Sequence, residues 1–192
     1  MEIVLKQIES DKVLLEQAVA GDKKAFGMLV NQHQTQIRGT VRSMLGDVAE
    51  VDDVAQEVFI RFYHSIHQFK GEARLATYLT RIAINLSLNE LNRRKRKSRI
   101  IPLFRKQEDG KEKLVIPNTA QFLLQDRYED KQHIEVAVKS LSPDFKAVVV
   151  LRLVQGYSVK ETAEILDLPM GTVASRLARA QKQLIRFFKN NQ

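Results

Sequence analysis

The sequence predicts an all-α protein: two small helical domains joined by a flexible linker, the second built as a helix-turn-helix. Three observations lead there. Apolar residues recur at helical spacing, and alternating apolar/polar runs are missing. Glycine and proline are sparse, at 8 and 4 of 192 residues. Between residues 98 and 120 the period fades, and Pro102, Gly110 and Pro117-Asn118 stand among mixed charges, as in a linker. The units so defined are 1–97 and 133–192, with 98–132 between them.

Ser10 or Asp11 opens the first helix, which ends near Gly21. Asp22 is a good N-cap for the second, with Ala25, Phe26, Leu29 and Val30 on its apolar side. That helix, or a pair of helices, reaches Leu45-Gly46. Asp47 stands three residues before Glu50, the spacing of a capping box. Val51, Val54, Val58, Phe59, Phe62 and Ile66 follow at helical spacing until Phe69-Lys70-Gly71-Glu72 breaks the run. Another helix begins near Ala76, with Leu79, Ile82, Ala83 and Leu86 inward, and runs out in Arg93-Arg94-Lys95-Arg96-Lys97. A short helix fits about 121–131. The second unit starts with Ser142-Pro143, an N-cap followed by proline at the first helical position. Val148 to Val154 forms its buried part and Gly156 its end. Ser158 with Glu161 makes a second capping box for a short helix to Leu166. Asp167-Leu168-Pro169 turns the chain, and a last helix runs from Met170 to Phe188.

Composition narrows the function. Apolar residues make up 44% and charged residues 28%, the balance of a globular domain. Cysteine is absent, which excludes disulfides, Fe–S clusters, thiolate zinc sites and a Cys nucleophile. The longest apolar run, Ala147 to Leu151, falls far short of the ~20 residues a membrane span requires. The N-terminus carries no secretory signal, so the expected place is the cytoplasm, without membrane insertion. Neither a Walker loop nor a nucleophile elbow is present, and no catalytic constellation emerges. No cofactor, metal or enzymatic activity is expected. His64 and His67, three apart, lack a third ligand at clear spacing.

The net charge of +8 is unevenly spread. Residues 93–106 carry 8 basic and no acidic side chains, and residues 136–192 carry 9 basic against 4 acidic. Residues 1–92 and 107–135 are net acidic. Two separate positive regions suggest two contacts with a polyanion, as against a merely solubilising basic surface. The last helix sharpens this. At 100° per residue Val173, Leu177, Ala180, Leu184 and Phe187 form one apolar stripe. Ser175, Arg179, Lys182, Arg186 and Lys189 lie opposite, with Arg176 on the flank and no acid after Asp167. A solvated surface helix usually carries acids for i,i+4 pairs. A helix-turn-helix with a one-sided basic helix reads as a DNA-binding element, with Thr172, Ser175, Arg176, Arg179 and Lys182 placed to reach phosphates or base edges.

These residues resemble a known family. Leu141-Ser142-Pro143, Val148 to Arg152, Gly156-Tyr157-Ser158, Glu161 to Leu166 and Gly171 to Ala180 look like region four of bacterial sigma-70-type RNA polymerase sigma factors, which binds the −35 promoter element. Asp53 to Tyr63 resembles region two, and Phe69-Lys70-Gly71-Glu72 with Thr77 to Asn85 resembles the −10 reading segment after it. Two motifs in order across nearly the whole chain, with a linker directly between them, match the extracytoplasmic-function group. The resemblance implies that Asp53, Gln56, Glu57 and Phe59 face the clamp of core RNA polymerase. It implies that Phe69, Lys70, Gly71, Glu72, Tyr78, Arg81, Asn85, Asn89, Arg93 and Arg94 contact the −10 element. Implied partners are core polymerase through clamp and flap, promoter DNA and an anti-sigma protein. The chain departs from the family at Tyr78, where tryptophan is common, and at Ala174, where a basic residue is common. Tyr78 suits either base contact or a core aromatic that orients the loop.

Two other readings stay open on the residues alone. One is a stand-alone helix-turn-helix regulator. The other uses Asp47, Glu50, Asp52, Asp53 and Glu57 as a metal site for phosphodiester cleavage, since carboxylates suit Mg²⁺.

Overall fold

The computed structural model describes residues 2–69, 71, 73–104 and 134–190. The first unit is α1 (Glu2–Val19), α2 (Lys23–Leu45), α3 (Glu50–Ser65), a 3₁₀ turn (Ile66–Gln68) and α4 (Leu75–Phe104). The second is α5 (134–140), α6 (Pro143–Val149), a π turn (Val150–Val154), α7 (Val159–Leu166) and α8 (Met170–Asn190). Among the described residues there is no strand, and no helix is long and apolar enough to cross a membrane. The expected helix over 121–131 lies outside the described residues.

The first unit closes around one core in which Leu29, Ile37, Val41, Val58, Phe62 and Leu79 are fully buried. Asp22 caps α2 as its sequence suggests, accepting from the N–H groups of Lys24 at 2.7 Å and Ala25 at 3.2 Å. Gly46 ends α2 at φ 82°, a conformation that a side chain would strain.

Three local expectations fail for definite reasons. Asp11 does not open α1, which begins nine residues earlier. It is buried inside the helix and meets His33 Nε2 of α2 at 3.0 Å. The Asp47–Glu50 capping box does not form, because α3 starts behind Ala49 with no side-chain cap. Asp47 instead lies 3.4 Å from Arg42, and Glu50 lies 3.3 Å from Arg94. Finally, α4 does not run out at residue 97 but continues to Phe104. Its basic stretch is made of good helix formers, and Glu90 anchors both Arg93 and Arg94 one turn on.

In the second unit Ser142 and Pro143 start α6, although the Ser142 hydroxyl makes no capping bond. The buried run ends earlier than expected. Val148 to Leu151 are buried, but Leu153 and Val154 face outward. The π turn over these residues rotates them off the core side. The Ser158–Glu161 box is complete, with bonds of 3.1 and 2.8 Å. Asp167 takes the left-handed conformation at φ 53° and closes the turn into α8. Val173 and Ala180 are buried, with Leu177 and Leu184 packed beside them, so the apolar stripe is the one expected.

The two units touch. Met44 and Ile84 of the first form a buried cluster with Ala147, Val150, Leu151 and Ile165 of the second. At its edge the hydroxyls of Thr80 and Tyr157 lie 3.0 Å apart.

Candidate functional site

Three surfaces carry the residues of interest. The first is a groove of about 730 Å³ between α2 and α3. Val30, Ala55 and Phe59 give it an apolar floor, and Gln34, Arg38 and Gln56 are among its polar lining residues. Phe59 is buried in the first unit's core and shows the groove only an edge. Gln56 and Asp53 are exposed. Glu57, half-buried, accepts from Arg61 Nε at 2.9 Å one turn along α3.

The acidic cluster is dispersed. Asp52 holds the Arg38 guanidinium in a two-point fork, at 2.6 Å to Nε and 3.0 Å to Nη2. Asp47, Glu50 and Glu57 each face an arginine as well. Carboxylates held apart by separate guanidiniums do not converge on one ion. Among the described residues no three His, Cys, Asp or Glu side chains come together as a metal site. Arg38 was not legible as part of this surface, since it lies 14 residues from Asp52 on another helix. Its only sequence signal is its position on the polar side of α2.

The second surface is one side of α4 and the loop before it. Arg81, Asn85 and Asn89, four apart, are all exposed and form one polar row, with Arg93 continuing it. The other sides of α4 are occupied: Leu75, Leu79, Ala83 and Leu86 face the first unit's core, while Thr80, Ile84 and Ser87 are also fully buried. Tyr78 lies under the loop. Its ring stands 5.0 Å from Phe69 and 6.0 Å from Phe62, and its hydroxyl is 3.2 Å from Ser65 Oγ. Tyr78 is thus half-buried against the first unit's core. Gly71 is exposed at φ 73°, while Lys70 and Glu72 lie outside the described residues.

Arg93 and Arg94 differ. Arg93 is exposed and forks onto Glu90 at 2.7 and 2.9 Å. Arg94 is half-buried and ties Glu90 of α4 to Glu50 of α3, at 2.8 and 3.3 Å. The Arg93 hydrogen bonds, helped by Arg94, hold the Glu90 carboxyl at about 2 against the opposing effect of burial. Arg94 is thus engaged as a tie between helices, whereas Arg93 has its outer edge free for solvent.

The third surface is the outer side of α8. Ser175, Arg179 and Lys182 are exposed, and Thr172 is half-buried with its carbonyl accepting from Ser175 Oγ at 3.0 Å. Arg176 leans back toward Asp144 of α6 at 3.8 Å and is partly shielded. The flank position read from the helical wheel is the reason. Arg179 and Lys182 therefore form the open cationic front.

The family description Sigma-70 region 2 matches residues 29–97, and Sigma-70, region 4 matches residues 131–184. The chain is 33% identical over 180 residues to the RNA polymerase sigma-H factor of Pseudomonas aeruginosa, covering 92% of each. It is 34% identical over 179 residues to the ECF RNA polymerase sigma-E factor of Escherichia coli K12, covering 91% of this chain and 92% of that one. Two solved structures share the fold. CnrH in complex with the cytosolic domain of CnrY gives a TM-score of 0.66 at 23% identity, over 95% of this chain and 99% of that one. The sigma factor RpoE with the anti-sigma factor NepR from Bartonella quintana gives 0.65 at 21%, over 88% and 99%.

Proposed function

The chain belongs to the sigma-70 family of RNA polymerase sigma factors, in its extracytoplasmic-function group, and from that we propose how its surfaces share the work of promoter-specific initiation. The region-two unit spans 1–97 and the region-four unit 133–192, with 98–132 linking them. It acts by differential binding and not as an enzyme, and it works in the cytoplasm beside its polymerase.

The α2–α3 groove docks on the polymerase clamp. Gln56 and Asp53 meet it first, Glu57 pairs with a clamp arginine in place of Arg61, and Phe59 supports the floor. The exposed apolar side chains Leu153, Val154, Ile185 and Phe188 of the second unit suit the flap.

The row on α4 reads the −10 element. The carrying observation is that Arg81, Asn85 and Asn89 form one exposed polar row on a stretch of helix, residues 75–91, whose other sides are buried or half-buried. Such a helix cannot turn away from its ligand. Side-chain amides are suited to the edges of unstacked bases, and Arg81 and Arg93 to the phosphates of the melted strand. The loop that opens at Phe69, which Tyr78 braces, shares this task, with Lys70, Gly71 and Glu72 as further contacts to the −10 element. Arg179, with Thr172, Ser175 and Arg176 around it, reads the −35 duplex in the major groove, and Lys182 holds its phosphates. An anti-sigma protein keeps the factor silent until its signal arrives. Support for that partner comes from the family and from the solved sigma factor RpoE of Bartonella quintana, which was captured with the anti-sigma factor NepR.

The test is a binding titration of the purified chain against bacterial core RNA polymerase, with Glu57→Arg as control. Tight binding by the wild type, lost in the variant while DNA affinity persists, is the expected result. A folded wild type that ignores core polymerase would sink the clamp assignment.

A further inference from the structure

Among the described residues Lys146 is the only buried lysine or arginine, at 5% exposed. It interrupts the apolar run from Phe145 to Leu151, on a helix packed against both α4 and α8. A buried ammonium is normally paired with a carboxylate or hydrogen-bonded, because taking it out of water is costly. Among the described residues Lys146 finds neither. Burial acts on its amine first, then the charges of Lys139 and Arg94, and all three push it below the ordinary lysine value. No carboxylate and no hydrogen bond offsets them.

The chain's own packing holds both neighbours in place. Lys139 of α5 lies across Gly46 at the end of α2. A Cβ there would stand 2.6 Å from Lys139 Cε and 3.4 Å from Nζ, so the glycine leaves the space that this side chain takes. Arg94 is fixed on α4 by Glu90, 2.8 Å from its Nε. Its Nη2 is buried 3.3 Å from Glu50 and makes no hydrogen bond. We propose that Lys139, Lys146 and Arg94 form a binding site for a phosphate group at the junction of α4, α5 and α6. Nothing in it depends on the DNA-facing roles of α4 and α8.

Two ammonium groups and a guanidinium edge offer many donors and no acceptor. The ligand that suits them carries more than one negative charge and several acceptor oxygens on a small body, which describes phosphate. A carboxylate supplies one charge, and a chloride no directed acceptors. Burial limits the size. A nucleic-acid backbone cannot reach a lysine 5% exposed. A free phosphate, or a phosphoryl group at the end of a small molecule, can enter by a cleft of about 320 Å³ beside Gly46. Lys139 lines this cleft, and so does Val150, one turn beyond Lys146. Of the cleft's two acids, Asp47 faces Arg42 at 3.4 Å and Glu135 is exposed to solvent, so neither compensates Lys146. A bound phosphate would supply the missing partner and tie α5 and α6 to α4.

Calorimetric titration of inorganic phosphate into the full chain, at constant ionic strength in chloride, is expected to give one saturable site. Lys146→Met keeps an unbranched apolar stem and removes the charge, and it should weaken binding by about 10- to 100-fold. Lys139→Gln, at an exposed side chain, should weaken it as well. Lys23→Gln removes an exposed cation at the opposite end of α2 and should change nothing. Circular dichroism checks the fold of Lys146→Met; if that variant is unfolded, Lys139→Gln decides alone. Stability gives a second readout. Phosphate at ten times its dissociation constant should raise the folded-to-unfolded ratio of the wild type about tenfold and leave Lys146→Met unmoved. Repeating the titration with a nucleoside monophosphate separates the sources. Binding of the nucleotide assigns a phosphoryl group carried on a larger molecule, and binding of inorganic phosphate alone assigns a free anion. No saturable binding of either probe, or binding that both lysine variants retain, overturns the site.

Discussion

The α4 and α8 helices, both proposed above to face DNA, are built on opposite plans. Over residues 75–89 one side of α4 is open, and its exposed row there is Arg81 and two neutral amides, with Glu90 pairing with Arg93 and Arg94 just beyond it. By contrast α8 buries only Val173 and Ala180 completely and carries no acid on its entire length. A strand with splayed bases needs fixed hydrogen-bonding groups, so rigidity counts most at α4. A duplex must first be found and held through its phosphates, so charge counts most at α8. Each plan predicts a different response to the same kind of change.

The largest effect belongs to Tyr78, the brace beside the loop proposed to read the −10 element. Tyr78→Ala removes a ring packed between Phe62 and Phe69 and should destabilise the first unit by about 2–3 kcal/mol. Chemical denaturation measures the cost. Binding of a −10 single strand should fall while −35 duplex binding stays unchanged. Tyr78→Phe keeps the ring, loses only the Ser65 contact, and should cost about 1 kcal/mol or less. If Tyr78→Ala leaves strand binding intact, rigidity is not what α4 contributes.

At α8 the corresponding change acts on recognition alone. Arg179 is exposed, so Arg179→Ala should leave stability unmoved and weaken −35 selection by about 1–3 kcal/mol, measured by fluorescence anisotropy on matched and mismatched duplexes. An unchanged preference would shift the reading contact to Arg176 and require it to leave Asp144.

Glu90 tests why α4 tolerates an acid at all. Its carboxyl is depressed from 4.5 to about 2 by the Arg93 hydrogen bonds and by Arg94. A depressed acid stabilises the fold above its unfolded value and loses that contribution as pH falls through the folded value. Stability should therefore decline between pH 4.5 and about 2 in the wild type. Glu90→Gln should flatten that decline and cost about 1–2 kcal/mol at neutral pH, allowing for solvent screening. Denaturant midpoints across the range read both.

The same contrast explains what the sequence disclosed. The stripe of α8, the Ser158–Glu161 box and the Asp22 cap depend on residues within one or two turns, so spacing reveals them. Much of what positions α4 acts across helices. Arg94 reaches Glu50 of α3, and Asp11 finds His33 of α2. Spacing along the chain made Asp11 a helix start and Asp47 with Glu50 a cap, because nothing local distinguishes a capping acid from one that a distant cation or imidazole claims. Arg81, Asn85 and Asn89 were legible through the family resemblance, and the spacing of four between Asn85 and Asn89 put those two on one face. The burial of Thr80, Ile84 and Ser87 beside it was not, because a helical wheel marks an apolar face without naming what covers it. The outward turn of Leu153 and Val154 was likewise hidden, since a π turn leaves no mark on apolar periodicity.

The smallest effect separates the two plans most directly. Each cation lost from a duplex-binding face should lower the slope of log affinity against log salt by about 0.9, and from a single-strand face by about 0.7. Lys182 and Arg81 are both exposed, and neither forms an ion pair among the described residues. Lys182→Ala should therefore flatten the salt dependence of −35 duplex binding and leave that of the −10 strand alone. Arg81→Ala should do the reverse, by the smaller amount. Because a phosphate contact carries no base information, neither change should alter sequence preference. Salt titrations of both variants on both probes give four slopes. If Lys182→Ala flattens neither slope, the acid-free side of α8 is a solvated surface and the −35 contact lies elsewhere on the second unit.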